Sequence, residues 1–295
     1  MPAFFTHYAF GVQNYKSMDE GKLKQLIKEY HTSYSLGTSG PDIFFYYFPH
    51  LMLREKKPAS VMHEAHAKLF FEHMLKRAEL FSGKKKRIAY AYIAGFIGHY
   101  ELDRHCHPYV YALTQTEDGH EESGRHFALE GAMDVYCSCH YLHRLPTELE
   151  QRKIIGISKS EQKVICRLLA DAYNATYHLP KQNMFTMKRT LWFMNTVIFL
   201  LEDKKGMKET VWTKLEKLIF GHAVTAPLFI NNNCYEYQVE DWYEFHEFWK
   251  NGLREYQKVM PFLEAYIIEK GDKKASRTEL LKQIGNYSYH HGKVL

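Results

Sequence analysis

Several features that would place this chain at once are missing. It has no GxSxG elbow, no GxGxxG loop, no Walker loop, no CxxC pair and no adjacent His-Asp dipeptide. Their absence removes the common serine-hydrolase, dinucleotide, nucleotide-phosphate and thiol-redox readings, and the metal phosphohydrolases that carry His-Asp. Long apolar runs are missing too. The longest, IAYAYIAGFIG and LWFMNTVIFLL, contain 11 residues each, short of the ~20 that span a bilayer. The opening stretch MPAFFTHYAFGVQNYK lacks a basic n-region and a long apolar h-region, so no secretory signal is visible. Cysteine is sparse: there are 5, an odd number, and Cys137 and Cys139 are too close for a typical structural bridge. These absences predict a cytoplasmic protein without a transmembrane segment. No polar Pro/Ser-rich linker, internal repeat or low-complexity tract appears, which predicts one domain over 1–295 with 206–295 packing as a helical annex.

A dominant charge is also lacking. The net charge is +5 at a sequence pI of 8.7, too mild and dispersed for a stable nucleic-acid partner. The densest basic run, Lys84-Lys85-Lys86-Arg87, precedes an apolar helix and reads as its solvated start.

What is present is apolar and aromatic mass: 45% hydrophobic and 15% aromatic over 295 residues, enough for a large core. Apolar residues recur at helical spacing almost everywhere, and alternating strand-like runs are scarce, so the fold class is all-α. The pattern predicts about nine helices, roughly 18 to 32, 59 to 82, 86 to 104, 123 to 144, 159 to 178, 182 to 204, 208 to 221, 241 to 269 and 276 to 286. Ser158 with Glu161 and Ser276 with Glu279 have capping-box spacing, and Pro58 precedes the second helix. Pro261 should kink or divide the eighth.

Histidine is over-supplied, 18 of 295, and its placement carries the chemistry. In GHYELDRHCHPYVY, His99 and Asp103 stand four apart at the end of a helix whose preceding turns must be buried. One face can then offer a nitrogen and an oxygen to one ion, a donor pair that suits Zn2+. The competing reading is a His-Asp hydrogen bond capping the buried end. Pro108 disfavours helix at His107, so the chain should turn there and send His107 elsewhere. His105 lies before that turn and off the His99 face, as a supporting residue. In GRHFALEGAMDVY, His126 and Glu130 can share an ion, while Asp134 orients a neighbouring ligand. In MHEAHAKLFFEHML, His63, His66 and His73 share a face with Phe70. The spacing of His63 and His66 fails the HExxH requirement by one residue, so the zincin reading falls, and either remains a ligand candidate. Core packing is the expected role of Cys137 and Cys139.

Taken together, GHYELDRHCHPYVY followed by HFALEGAMD resembles the zinc-dependent phospholipase C family, related in fold and site to P1/S1-type nucleases. The family pattern GxxxHxxxD, then HPY, then HxxxE is met by His99, Asp103, His107-Pro108-Tyr109, His126 and Glu130. THYAFG and SGPDIFFY look like its early metal-binding segments, offering His7 and Asp42, and His63 sits where the family has its next histidine. FINNNCYEYQVEDW, with Asn231 and Trp242, is similar to a looser motif. The resemblance implies a single multi-helical domain around a buried polynuclear zinc site. One ion would take Asp42, His63, His99 and Asp103. A second would take His107, His126 and Glu130, and Asp103 would bridge to a third at His7. Two zinc ions are expected, with the third depending on how the amino terminus is used.

The resemblance further implies hydrolysis of a phosphate ester, small-molecule or lipid-headgroup, by a zinc-bound hydroxide, with Asp42 orienting or deprotonating the water. Tyr100, Tyr109 and the aromatics of DIFFYYF would wall the pocket. The alternatives are a P1/S1-like nuclease and a helical domain that binds metal without catalysis. A carboxylate-bridged di-iron bundle is disfavoured because duplicated ExxH motifs are absent.

Overall fold

The computed structural model describes residues 4–47, 57–115, 123–178, 180–222, 224–232 and 242–295. Every extended element among them is helical; β-structure is confined to two isolated bridges. Among the described residues there are thirteen α-helices: α1 (Phe4–Ser17), α2 (Lys22–Glu29), α3 (His31–Gly37), α4 (Pro58–Glu64), α5 (Ala67–Glu79), α6 (Gly83–Thr114), α7 (Ser123–Cys137), α8 (Gln151–Ile154), α9 (Lys159–Tyr177), α10 (Met184–Leu201), α11 (Met207–Phe220), α12 (Trp242–Ile268) and α13 (Lys273–Ile284). None of them is long and apolar enough to cross a membrane.

The expected count of nine is too low for identifiable reasons. α1 was not anticipated, since its buried face includes Thr6, His7, Gly11 and Asn14, which weaken an apolar period. The helix expected over 59 to 82 is two helices. His66 adopts a left-handed conformation (φ 61°) between α4 and α5, which no continuing α-helix accommodates. The stretch expected as 18 to 32 likewise breaks at Tyr30, between α2 and α3.

α6 is the axis of the fold. Ile88 to Asp103 are all buried, as the all-round apolar run requires, and the helix packs chiefly against α3 and α12. The α3 crossing is very close because glycines face it from both sides. A Cβ on Gly37 would lie 2.3 Å from the Tyr92 carbonyl oxygen, and one on Gly95 would lie 2.1 Å from that of Tyr34. The same crossing sets the Thr38 carbonyl beside His99.

Two prolines behave differently from expectation. α6 continues through Pro108 to Thr114, and α12 runs undivided past Pro261. A proline removes one N–H and crowds the carbonyl four residues earlier, and tertiary packing holds the chain helical in spite of it. The Ser158–Glu161 capping box forms as its spacing predicts. Glu161 N donates to Ser158 Oγ at 3.3 Å, and Ser158 N donates to Glu161 Oε2 at 2.8 Å.

Candidate metal centre

Five elements deliver side chains to one buried region. α1 supplies His7, a 3-10 helix over Gly40–Tyr46 supplies Asp42, and the last turn of α4 supplies His63. α6 supplies His99, Asp103 and His107, and α7 supplies His126 and Glu130. Because α6 stays helical past Pro108, His107 does not leave on a turn. It follows His99 and Asp103 in steps of four along one slanting stripe. The second cluster arises because α7 crosses that stripe.

The eight residues fall into three sets whose ligand atoms lie within 4.8 Å of one another: His7, His99 and Asp103; Asp42, His63 and His99; His107, His126 and Glu130. Asp103 stands at the junction. Its Oδ1 is 3.2 Å from His7 Nε2, while its Oδ2 is 2.8 Å from His99 Nε2, 3.5 Å from His63 Nε2 and 3.7 Å from His107 Nδ1. Asp42 Oδ1 is 3.3 Å from His63 Nε2. Glu130 Oε1 is 3.1 Å from His126 Nε2 and 3.7 Å from His107 Nε2. The rings of His7 and His99 stack with centroids 4.0 Å apart.

The outer nitrogens are held by main chain. His63 Nδ1 donates to the Ala59 carbonyl at 2.8 Å, His99 Nδ1 to that of Thr38 at 3.0 Å, and His107 Nδ1 to that of Tyr289 at 3.1 Å. A carbonyl only accepts, so each Nδ1 carries a proton and each Nε2 faces inward, where it can hold a second proton or give its lone pair to a cation. That is the arrangement by which proteins orient metal-binding imidazoles. Lone pairs aimed at carboxylates repel unless a proton or a cation lies between them. The His99–Asp103 pair shows the consequence: Nε2 and Oδ2 are buried and close, yet neither has a hydrogen-bond partner.

The electrostatics point the same way. Burial alone would raise all three carboxyls, but neighbouring imidazoles overcome it. His99 and His63 lower Asp42, while His107, His99 and His7 hold Asp103 well below the usual carboxylate range. His126 and His107 do the same for Glu130. Burial would lower His63, but its contacts with Asp103 and Asp42 raise it to about 10. These carboxylates stay ionised because charged imidazoles balance them, a balance that a divalent cation replacing the imidazole protons would also supply, and the nitrogen and oxygen donors suit zinc.

The remaining candidates separate from the cluster. His66 caps the start of α5 and lies near Tyr177 (6.2 Å between rings), and His73 Nδ1 contacts Thr176 Oγ1 at 2.9 Å. Of the α4–α5 histidines, His63 alone enters a set. His105 Nε2 faces Glu101 at 3.9 Å, outside the sets. Asp134 accepts from Thr6 N and Thr6 Oγ1, both at 2.7 Å, and so ties α7 to the residue before His7. Cys137 is buried and Cys139 exposed, so core packing holds for the first only. Tyr100 is buried, and its hydroxyl accepts from Tyr287 N at 2.9 Å, a structural role in place of the expected pocket wall. Tyr109 packs on Phe248. Asn231 Nδ2 donates to Glu209 and Trp242 stacks on Tyr136; residues 233–241 between them, and Phe48 of DIFFYYF, lie outside the described residues. Sequence reasoning missed Tyr289 and His290, whose rings lie 5.1 and 5.2 Å from that of His63. The only local signal was the paired histidine in YSYHHG.

No curated protein and no solved structure matches this chain. The family model for zinc dependent phospholipase C matches residues 6–180, a span that holds all eight clustered side chains. The chain therefore belongs to the zinc-dependent phospholipase C family, a family of metal-dependent phosphoesterases.

Proposed function

We propose that this protein is a zinc-dependent hydrolase of phosphate esters, with a phosphodiester or a phospholipid headgroup ester as substrate. The observation that carries the reading is the junction at Asp103, where one carboxylate faces imidazoles from α1, α4 and α6. His7, Asp42, His63, His99 and Asp103 would hold zinc on one side, and His107, His126 and Glu130 on the other. Bound zinc supplies Lewis-acid polarisation of a phosphoryl oxygen and activation of water near neutral pH.

The chain's own residues do the rest. Asp42, kept ionised by His99 and His63, accepts a proton from the attacking water. The water oxygen bonds to phosphorus, the ester P–O bond breaks, and the leaving oxygen takes the proton that Asp42 accepted. The main-chain bonds to His63, His99 and His107 keep the imidazoles from turning as charge shifts. Residues 1–295 act as one unit in this reading, since Tyr289 and Tyr287 near the carboxyl end bond to His63 and Tyr100. We assign the chain to the cytoplasm; the buried thiols Cys106, Cys137 and Cys166 fit a reducing compartment.

The test is hydrolysis of an aryl phosphodiester by the zinc-loaded protein, by His99→Ala and after chelation. Activity is expected in the first and loss of about a hundredfold or more in the others; activity indifferent to both would sink the reading. Running phospholipid vesicles beside single-stranded oligonucleotides sorts the substrate, and faster oligonucleotide cleavage would favour a nuclease.

A further inference from the structure

The segment after α13 lies against the metal centre, although it is far outside the matched residues 6–180. Tyr289 N donates to the His63 carbonyl at 3.1 Å, and Ser288 Oγ donates to the same oxygen at 3.4 Å. The Tyr289 carbonyl in turn accepts from His107 Nδ1 at 3.1 Å. One residue thus bonds to two of the clustered histidines, one on α4 and one on α6. The next residue, His290, places its ring 5.2 Å from that of His63 and 5.9 Å from that of His107.

The segment is folded tightly on itself. Ser288 N donates to the Lys293 carbonyl at 2.8 Å and Gly292 N to that of Ser288 at 3.0 Å. Ser288 Oγ accepts from His290 N and His291 N at 3.1 and 3.3 Å. Leu295 N and the Asn286 side chain close the two ends, each donating to the other residue's carbonyl.

α6 is shaped to receive it. Pro108 has no N–H, so the Arg104 carbonyl one turn earlier has no helical donor at that position. Gly292, at φ +61°, lies against that carbonyl, so near that a Cβ would stand 2.3 Å from the oxygen and 3.5 Å from Pro108 Cγ. The left-handed backbone and the close approach both call for glycine. Arg104 also lays its guanidinium over the Tyr287 ring at 4.6 Å.

We propose that residues 286–295 are a positioning element of the metal centre, in which the Tyr289 carbonyl holds His107 turned so that Nε2 faces Glu130 and a zinc ion. His290 closes the side of the cluster between His63 and His107. This rests on the zinc reading above. Tyr289 is a positioning residue acting through its main chain, and its side chain packs on Tyr100 at 4.9 Å.

The experiment compares four full-length or shortened proteins: wild type, a chain ending at Gly285, Gly292→Val and Tyr289→Phe. Zinc per chain is measured by elemental analysis, the visible spectrum is recorded after cobalt substitution, and helix content is followed by circular dichroism. Wild type and Tyr289→Phe, which keeps the carbonyl, are expected to hold equal zinc. The shortened chain and Gly292→Val are expected to hold one zinc fewer, with an altered cobalt band and unchanged helix content. If the shortened chain does not fold, Gly292→Val decides. Either variant, folded and with wild-type zinc and cobalt spectrum, overturns the proposal. Loss in Tyr289→Phe equal to that in Gly292→Val overturns the main-chain assignment. Wild type without zinc overturns the underlying zinc reading instead.

Discussion

Asp103 Oδ2 and His99 Nε2 stand 2.8 Å apart in the interior, and neither is satisfied by a hydrogen bond. Buried polar atoms left this way cost about 1–3 kcal/mol each, and a shared cation removes that penalty for both. Asp103 also faces His7, His63 and His107, whereas His126 approaches Glu130 alone among the clustered carboxylates. Asp103→Ala is therefore expected to lose more zinc per chain than His126→Ala. Elemental analysis after gel filtration checks this, and equal losses would contradict the junction.

Removing metal should lower stability. Ligands that bind only the folded chain add about 2.7 kcal/mol per site at a hundredfold excess over Kd. Chelated protein is expected to unfold at lower urea than zinc-loaded protein, and the gap should vanish in a variant lacking His99, Asp103 and Glu130. A chelator-insensitive midpoint would argue against a structural contribution of metal.

Glu101 is wholly buried on α6 beside the Arg104 guanidinium, 2.7 Å away. Burial pushes its carboxyl up to about 8 despite the opposing pull of Arg104. A raised folded-state pKa contributes stability that is fully present below the ordinary glutamate value and lost as pH rises toward 8. Metal-free wild type should then lose stability between about pH 5 and 8 relative to Glu101→Gln. Urea midpoints at several pH values measure the difference, and parallel curves would refute it.

Glu161 ties α3 to the start of α9, accepting from Thr32 Oγ1 at 2.9 Å, Ser33 Oγ at 2.7 Å and Ser158 N at 2.8 Å. Burial would raise its carboxyl, but hydrogen bonds from Ser158 and Ser33 bring it below the usual value. Its contribution is present above the ordinary glutamate pKa and lost as pH falls through the lowered one. Glu161→Ala should cost about 2 kcal/mol near neutrality, read from urea unfolding.

Gly95→Ala tests the close helix crossing. The added Cβ would sit 2.1 Å from the Tyr34 carbonyl oxygen, so α3 must move or the core must open. A loss of about 3 kcal/mol is expected, together with weaker zinc binding, because α3 leads directly to the Thr38 carbonyl that holds His99.

Much of the site is legible in the chain because two of its pairs are local. His99 with Asp103 and His126 with Glu130 are four apart, and helical geometry alone puts each pair on one face. The all-helical class follows from the same periodicity. His7 and Asp42 were legible only through family resemblance: α1 has a polar-spotted buried face, and Asp42 lies in a 3-10 helix with no apolar period. Pro108 misled in the other direction. Local stereochemistry predicts a turn, while packing by α7, α12 and Gly292 keeps α6 helical.

By itself, then, the sequence determined helices, their buried faces and two histidine–carboxylate pairs, all properties of neighbours within a turn or two. Only the tertiary structure decided which pairs meet, that Asp103 joins them, that His63 and not His66 takes part, and that the Tyr289 carbonyl reaches His107 across 182 positions. Those contacts depend on how closely α3, α7 and the carboxyl-terminal turn approach α6. That closeness is set by glycines and carbonyls, whose roles in packing leave no period in the chain.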